Sequence, residues 1–328
     1  MTLSPHTTSV DHPEADTSLL SEILLGLTSE PKMLPSKLLY DARGSELFER
    51  ITRLPEYYLT RTEKKLLEAR AADIVAAVPV EAGRRRALVE FGASDESKAI
   101  LLLDAPESYF FAYLAIDISP SVLGPIRTRM QVSHPQITVE TLLADFLQPL
   151  TLPEPFNEMH MVAFLPGSTV GQFSPAAVVQ FLENVRGSLT GAAPPAFVIG
   201  TDQCRDPGRV LAAYDDSAGV SSAFNLNILA HVNNLAHCDL DLNRFARKVL
   251  WNPREERVEM HLESRSAQST QIAEHPIRFA EGETIRIGVS YKYGKERFLS
   301  IAAAAGWSST GFWQDSEKLF AIHLLQAS

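Results

Sequence analysis

Five apolar, β-prone runs alternate with segments of helical spacing between residues 87 and 202, and this order constrains the fold more than any other feature. The runs cover residues 88–91, 113–119, 137–141, 159–165 and 196–202. Strands that alternate with helices of about 10–15 residues are typical of βαβ units, which build a parallel sheet. Residues 159–165 are almost wholly apolar, as expected for a parallel strand buried on both faces. We therefore predict an α/β fold with a Rossmann-like sheet.

The first of these strands ends in a glycine turn at Gly92, and helical spacing follows over residues 98–103. In Rossmann-like sheets, such a turn presents backbone N–H groups to a nucleotide. Ser94 stands where a G-x-G pattern would have its second glycine. Taken alone, the turn is equally compatible with an ordinary connection between a strand and a helix.

Composition narrows the classes of function. The 328 residues predict two domains of about 150 residues each. The net charge of −10 argues against a nucleic-acid partner, because phosphate binding needs a basic face. The start of the chain lacks a secretory pattern, and no apolar run approaches the roughly 18 residues of a membrane span. Two cysteines and nine scattered histidines suggest neither a disulfide framework nor a metal site. We expect a cytoplasmic protein.

The pattern changes after the fifth strand. Spacing predicts helices over residues 210–214, 223–233 and 241–249, and then antiparallel strands over 257–262, 269–272 and 284–290. A helix over 296–305 and a strand over 320–325 return to the α/β style. We therefore predict one domain from residues 62–203 plus 293–328. The N-terminal segment 1–61 and the insertion 204–292 would form a second, α+β domain that binds substrate.

Ligands of doubly wound sheets lie beyond the carboxyl ends of the strands. Asp117, about 25 residues past the glycine turn, has the position that binds ribose hydroxyls in such folds. That acid fits NAD as well as S-adenosylmethionine. Asp145 followed by Phe146 favours S-adenosylmethionine, because the acid can accept from the adenine amino group while the ring packs on the base.

Motifs over nearly the whole chain resemble the histidine-specific Nα-methyltransferase family of ergothioneine biosynthesis. They are YDARGSELF at 40–48, ITRLPEYY at 51–58, TRTE at 60–63, FLPGST at 164–169, GTD at 200–202, AYDD at 213–216, AFNLN at 223–227, WN at 251–252, EERVEM at 255–260 and VS at 289–290. The resemblance implies a class I, S-adenosylmethionine-dependent methyltransferase fold. It also implies a substrate domain made from the N-terminal segment and the middle insertion.

The resemblance also implies site residues. The cofactor site would consist of Gly92, Lys98, Asp117, Asp145 and Phe146, with Lys98 meeting the methionine carboxylate of the cofactor. The amino-acid pocket would be lined by Tyr40, Phe48, Tyr57, Gly167, Tyr214, Met260 and Ser290. An α-ammonium must lose a proton before it accepts a methyl group, and Tyr40 and Tyr57 are the candidate relays for that proton.

Two positions of the pocket depart from the family's pattern. Gln172 replaces an Asn that holds the substrate's amino and carboxylate groups in the histidine enzymes, and Gly288 replaces a Glu that binds the imidazole. A site built on a hydrogen bond loses its preference for the group that made the bond when the partner is removed. We therefore expect the acceptor to be another amino acid or an amino-acid derivative, with a larger aromatic group, in secondary metabolism.

Other readings of the same sequence remain open. A histidine Nα-methyltransferase and a non-catalytic relative that binds a ligand or partner both fit the family's motifs. A nicotinamide oxidoreductase fits the sheet, although its glycine fingerprint is incomplete. For the enzyme we expect a small-molecule amine as partner, no metal, and a monomer or weak dimer. S-adenosylhomocysteine retained in the purified protein would separate these readings.

Overall fold

The computed structural model describes residues 13–79, 85–154, 156–191 and 193–328. The α-helices are α1 Pro13–Thr28, α2 Ala42–Thr52, α3 Tyr58–Ala77, α4 Ser97–Leu103, α5 Pro120–Ser133, α6 Pro175–Ser188, α7 Pro207–Tyr214, α8 Val220–Ala236 and α9 Lys295–Ala304. The strands are β1 Arg86–Phe91, β2 Phe110–Asp117, β3 Thr138–Leu143, β4 His160–Leu165, β5 Ala196–Asp202, β6 Phe245–Asn252, β7 Arg257–Ser264, β8 Gln268–Ile272, β9 His275–Phe279, β10 Thr284–Tyr291, β11 Trp307–Gln314 and β12 Phe320–Ala327.

A seven-stranded sheet with the order β11-β12-β5-β4-β1-β2-β3 carries the α/β part of the chain. Strands β1 to β5 run parallel, and β12 enters antiparallel between β5 and β11. The predicted parallel sheet is confirmed. Because the five strands run the same way, their carboxyl ends meet at one edge of the sheet, where the segments after them come together.

A smaller antiparallel sheet, in the order β10-β7-β6, lies with helices α1, α2, α7 and α8 and the hairpin β8-β9. The helix predicted over residues 241–249 is wrong. Leu242, Phe245 and Val249 have helical spacing, yet the segment is a short 3-10 turn followed by β6. Pairing with β7 from Phe245 to Asn252 satisfies the backbone of this stretch, so tertiary pairing overrides the local pattern.

Two helices begin near the pocket. Helix α2 begins at Ala42 because the Asp41 carboxylate caps it, accepting from the Gly44 N–H at 2.7 Å. Helix α3 begins at Tyr58, and Thr62 lies inside it with its hydroxyl donating to the Tyr58 carbonyl oxygen at 2.8 Å. These helix starts place Tyr40, Tyr57 and Tyr58 at or next to helix ends.

The hydrophobic core falls into groups that follow the two sheets. One group joins buried side chains of residues 23–59 with those of 204–287 and Leu319. The other two groups lie on the two faces of the seven-stranded sheet. The domain boundaries at 61/62, 203/204 and 292/293 remain a prediction, which this division of the core supports. Within the described ranges, no helix combines the length and apolarity needed to cross a membrane.

Candidate functional site

The glycine turn after β1 meets two other loops at the carboxyl edge of the sheet. Gly92 has φ +71°, a left-handed conformation that glycine adopts without strain. A Cβ built there would lie 3.6 Å from the Phe146 ring and 3.9 Å from Thr169 Cγ2. Three segments that are far apart in the sequence therefore converge at Gly92, and a side chain at this position would fill the space between them.

Asp117 ends β2 and is half-buried at this edge. Its Oδ1 accepts from the Ser119 N–H at 2.8 Å. Burial raises the pKa of the Asp117 carboxyl to about 6, although backbone N–H groups partly offset that effect. The carboxylate is thus charged at neutral pH and held in a fixed orientation, as an acceptor for hydroxyl groups would need to be.

Asp145 and Phe146 follow β3, as the sequence predicted. Asp145 accepts from the Leu147 N–H at 3.0 Å and forms an ion pair at 3.4 Å with Lys37, which belongs to the N-terminal segment. Phe146 packs edge-on against Phe91, with ring centroids 6.2 Å apart. The Lys37 contact was not expected, because a lone lysine before an apolar pair reads as a solvated side chain.

Lys98, on α4, is held by a carboxylate that the sequence reading missed. Its Nζ lies 2.6 Å from Oε2 of Glu63, whose side chain is 1% exposed. Both Glu63 oxygens also accept from the Gly167 N–H at 2.9 Å. Gly167 has φ +76°, and a Cβ there would lie 3.7 Å from Lys98 Nζ. Glu63 therefore fixes the lysine beside the glycine loop that follows β4.

Aromatic side chains form the centre of the predicted acceptor pocket. Tyr40 packs edge-on against Phe48 and Phe224, with centroids 5.6 and 5.7 Å apart, and Tyr57 packs against Tyr214 at 6.2 Å. Burial raises the pKa of Tyr40 to about 12 and that of Tyr57 well above its usual value. Both hydroxyls are therefore neutral at physiological pH. Phe224 was not among the predicted pocket residues, although it lies in one of the family-like motifs.

Gln172 faces this aromatic cluster, and its Nε2 donates to the Tyr40 hydroxyl oxygen at 3.1 Å. It belongs to the short 3-10 turn Thr169–Gln172, which follows Ser168 in the left-handed conformation. Thr169 at the start of this turn faces Gly92, as described above. One short segment thus borders both the glycine turn and the aromatic pocket.

The wall at Gly288 is apolar. A Cβ built on Gly288 would lie 2.9 Å from Met260 Cε and 3.9 Å from Leu39 Cδ1. Met260 pairs with Gly288 across β7 and β10, so its flexible end covers the glycine. The space that a longer side chain at residue 288 would take is therefore occupied by thioether and methyl groups.

A polar group completes the pocket. The Tyr214 hydroxyl and Ser290 Oγ lie 2.7 Å apart, and a Cβ at Gly171 would lie 3.5 Å from Ser290 Oγ. Lys292, two residues after Ser290, is completely buried and reaches both hydroxyls. Sequence reasoning missed Lys292, because nothing in a sequence distinguishes a buried lysine from a solvated one.

The predicted residues therefore form two adjacent groups. Gly92, Asp117, Asp145, Phe146 and Lys98 lie at the carboxyl edge of the large sheet, while the tyrosines, Phe48, Met260, Gly288 and Ser290 lie over the small sheet. Gly167 and Gln172 stand between them. No cluster of His, Cys, Asp and Glu that would suit a metal ion occurs in the part of the chain that the structure describes.

Comparison with known proteins gives consistent matches. The family described as histidine-specific methyltransferase, SAM-dependent, matches residues 19–327. A histidine N-alpha-methyltransferase of Mycolicibacterium smegmatis is 38% identical over 311 residues, covering 94% of each chain. The enzyme of the same description from Mycobacterium tuberculosis is 34% identical over 94% of each chain. A 4-dimethylallyltryptophan N-methyltransferase of Aspergillus fumigatus is 27% identical over 95% of each chain.

Proposed function

The chain belongs to the family of histidine-specific, S-adenosylmethionine-dependent methyltransferases, and we propose that it methylates the α-amino nitrogen of an amino acid other than histidine. The protein is a class I methyltransferase, and S-adenosylmethionine is its methyl donor. The observation that supports a different acceptor is the apolar wall at Gly288. An imidazole N–H placed against Met260 and Leu39 would lose its hydrogen bonds to water without gaining a partner there.

The charged and aromatic side chains at the carboxyl edge of the sheet match the groups of the methyl donor, which carries ribose hydroxyls, an adenine amino group and a carboxylate. Asp117 would accept from the ribose hydroxyls and Asp145 from the adenine amino group, with Phe146 against the base. Lys98 would meet the carboxylate as a positive point charge. When bound, S-adenosylmethionine supplies a methyl group that passes to the amine lone pair as its bond to sulfur breaks.

The acceptor's backbone would be held by Gln172 and Tyr40. The Gln172 amide already donates to the Tyr40 oxygen, so the phenolic proton of Tyr40 is free for a carboxylate oxygen of the acceptor. The amide oxygen of Gln172 can accept from the acceptor's amino group. Fixing both groups aligns the nitrogen lone pair for in-line displacement, and such positioning supplies most of the catalysis in this kind of transfer.

The amine must be neutral when it attacks. The high pKa values of Tyr40 and Tyr57 exclude tyrosinate as the base at neutral pH, so either residue can act only as a neutral hydroxyl that passes a proton onward. The rings of Phe48 and Phe224, with centroids 5.9 Å apart, give the pocket an apolar wall that favours an aromatic or other apolar acceptor side chain.

Histidine itself is the second candidate. The relatives that are 38% and 34% identical to this chain are described as histidine N-alpha-methyltransferases, and that similarity favours the same acceptor. The two candidates differ in what they require at Gly288, because a histidine enzyme would need another partner for the imidazole.

A methyl-transfer assay decides between them. Purified enzyme with S-adenosylmethionine is offered histidine, tryptophan, tyrosine, phenylalanine and leucine separately, and S-adenosylhomocysteine release is measured with mass spectrometry of the product. We expect the highest kcat/KM for an aromatic amino acid and a mass gain on its α-nitrogen. A higher kcat/KM for histidine would refute the proposed acceptor class while leaving the methyltransferase activity intact.

A further inference from the structure

Lys292 and Asp202 form an ion pair in the interior, beneath the acceptor pocket. Their charged atoms lie 2.6 Å apart, and neither side chain has any exposed surface. Removing two charges from water is costly unless every donor and acceptor finds a partner. Neither charge contacts the reacting atoms of the proposed methyl transfer.

The three donors of the Lys292 ammonium are all engaged. They go to Asp202 Oδ2 at 2.6 Å, to Ser290 Oγ at 3.0 Å and to the Tyr214 hydroxyl oxygen at 3.1 Å. Burial lowers the pKa of Lys292, but the Asp202 carboxylate and the Tyr214 hydroxyl outweigh it, and the net shift is upward. The lysine is therefore a cation at working pH. An ammonium donates and never accepts, so both hydroxyl oxygens must be acceptors toward it.

The number of hydroxyl protons determines how many hydrogen bonds the Tyr214–Ser290 pair can donate to a ligand. Tyr214 and Ser290 carry one hydroxyl proton each, and their oxygens lie 2.7 Å apart, so one hydroxyl donates to the other. Neither proton can point at Lys292. Whichever hydroxyl donates within the pair, the second proton remains and must be directed elsewhere. The pair thus presents one O–H donor, polarised by a cation that also lies 4.6 Å from the centre of the Tyr214 ring.

That donor borders the acceptor pocket. Tyr214 packs against Tyr57, and Ser290 lies beside the segment that carries Gln172, as the 3.5 Å distance from the Gly171 Cβ position shows. We propose that Lys292 is a positioning residue that holds the Tyr214–Ser290 pair as an O–H donor to the acceptor's carboxylate. The inference rests on the proposed function, because it assumes an acceptor that is an α-amino acid.

Asp202 has two parts in this arrangement. Its carboxylate neutralises Lys292 and also accepts from the Tyr58 hydroxyl at 2.8 Å and from the Cys204 N–H at 3.0 Å. Its backbone N–H donates to Ser168 Oγ at 2.8 Å, within the glycine loop. The ion pair is therefore anchored to the segment that separates the two halves of the site, which keeps the hydroxyl donor in register with Gln172.

The test compares an amino acid with the amine made by removing its carboxylate, such as tryptophan with tryptamine. The variant Lys292→Met/Asp202→Asn removes both charges and leaves no unpaired ion in the interior. We expect its KM for the amino acid to rise about tenfold or more, since a charge-assisted hydrogen bond is weakened. Its KM for the amine should stay within twofold of the wild-type value. Loss of packing alone would raise both KM values together.

Calorimetry with S-adenosylhomocysteine reports whether each variant is folded. Tyr293→Phe is the matched control, because it removes another buried hydroxyl bond, to the Phe173 carbonyl oxygen at 2.7 Å, without touching Lys292. It should keep the wild-type ratio of the two KM values. If the methionine variant does not fold, Lys292→Gln/Asp202→Asn keeps a neutral donor, and its ratio should change in the same direction but less.

The outcomes separate the inference from the function on which it rests. An unchanged KM ratio in a folded double variant would overturn the role of Lys292 and leave the amino-acid acceptor standing. If the wild-type enzyme methylates the amine as readily as the amino acid, no carboxylate is recognised and the inference is also wrong. If it methylates no α-amino acid at all, the proposed function fails, and this inference fails with it.

Discussion

A carboxylate introduced at residue 288 should restore histidine recognition, and the structure sets the size of the effect. The backbone of Gly288 does not lie in the left-handed region, so a side chain meets no backbone strain there. The obstacle is Met260 Cε, 2.9 Å from the new Cβ. Because this is the end of a flexible side chain, we expect Gly288→Glu to displace it, and Met260→Val removes the overlap altogether.

The expected gain follows from one new hydrogen bond. A bond between a carboxylate and an imidazole N–H contributes about 1.5–3 kcal/mol, whereas overpacking against Met260 costs about 1–3 kcal/mol. Gly288→Glu alone is therefore close to neutral for histidine. Gly288→Glu/Met260→Val should bind histidine about tenfold more tightly than the wild-type protein, since about 1.4 kcal/mol corresponds to a factor of ten. Adding Gln172→Asn should raise histidine affinity further.

The assay is calorimetric titration of histidine into the complex with S-adenosylhomocysteine, followed by kcat/KM for histidine and for the best aromatic acceptor. Gly288→Gln/Met260→Val is the matched control, because it has the same shape without the charge, and it should gain much less. Two results would refute the reasoning. Either the glutamate variant gains no histidine affinity over the glutamine variant, or the wild-type protein already binds histidine as tightly as the variant does.

Three further outcomes are expected. The affinity for S-adenosylhomocysteine should fall as the pH drops below about 6. The reason is that Asp117, with its raised pKa of about 6, becomes protonated and no longer accepts from both ribose hydroxyls. In calorimetry of Asp117→Asn, the affinity should not change over this pH range. Glu63→Gln should weaken S-adenosylhomocysteine binding about tenfold, because it releases Lys98. Substitution of the exposed neighbour, Lys64→Ala, should leave the affinity unchanged. If Glu63→Gln binds S-adenosylhomocysteine as tightly as Lys64→Ala does, the role of Glu63 is contradicted. Since the pKa of Tyr40 is about 12, the pH dependence of kcat between pH 6 and 10 should reflect only the deprotonation of the acceptor's amine. If the inflection of this pH profile moves in Tyr40→Phe, Tyr40 is not a neutral hydroxyl over this range.

Much of the large sheet could be predicted from the sequence, because parallel strands that are covered on both faces must be apolar. Strand β11 was not predicted, since it lies at the edge of the sheet and exposes Ser308 and Ser309, so its pattern has no apolar run. Strand β6 was mistaken for a helix because its apolar residues have spacing of three and four. In both places, pairing with a neighbour decides the structure, and no local pattern reports that neighbour.

The residues of the site also divide into those that the sequence could indicate and those that it could not. Residues at the ends of strands, such as Asp117 and Asp145, could be selected because the topology places strand ends together. Glu63 and Lys292 could not, since a charged residue in a sequence carries no sign of its burial. Asp202 ends the fifth strand, but its buried partner was equally invisible in the sequence. The parts that these residues play became clear only through their contacts: a carboxylate that holds Lys98 beside Gly167, and an ammonium, paired with Asp202, that donates to two hydroxyl oxygens.

The turn Thr169–Gln172 touches both halves of the site, with Thr169 beside Gly92 and Gln172 beside Tyr40. A ligand that shifts this turn on one side also changes what the other side offers. Thermodynamic linkage then requires reciprocity: if the methyl donor strengthens acceptor binding by some factor, the acceptor strengthens donor binding by that same factor. The affinity of an acceptor for the free protein would then differ, by that factor, from its affinity for the protein with the methyl donor bound.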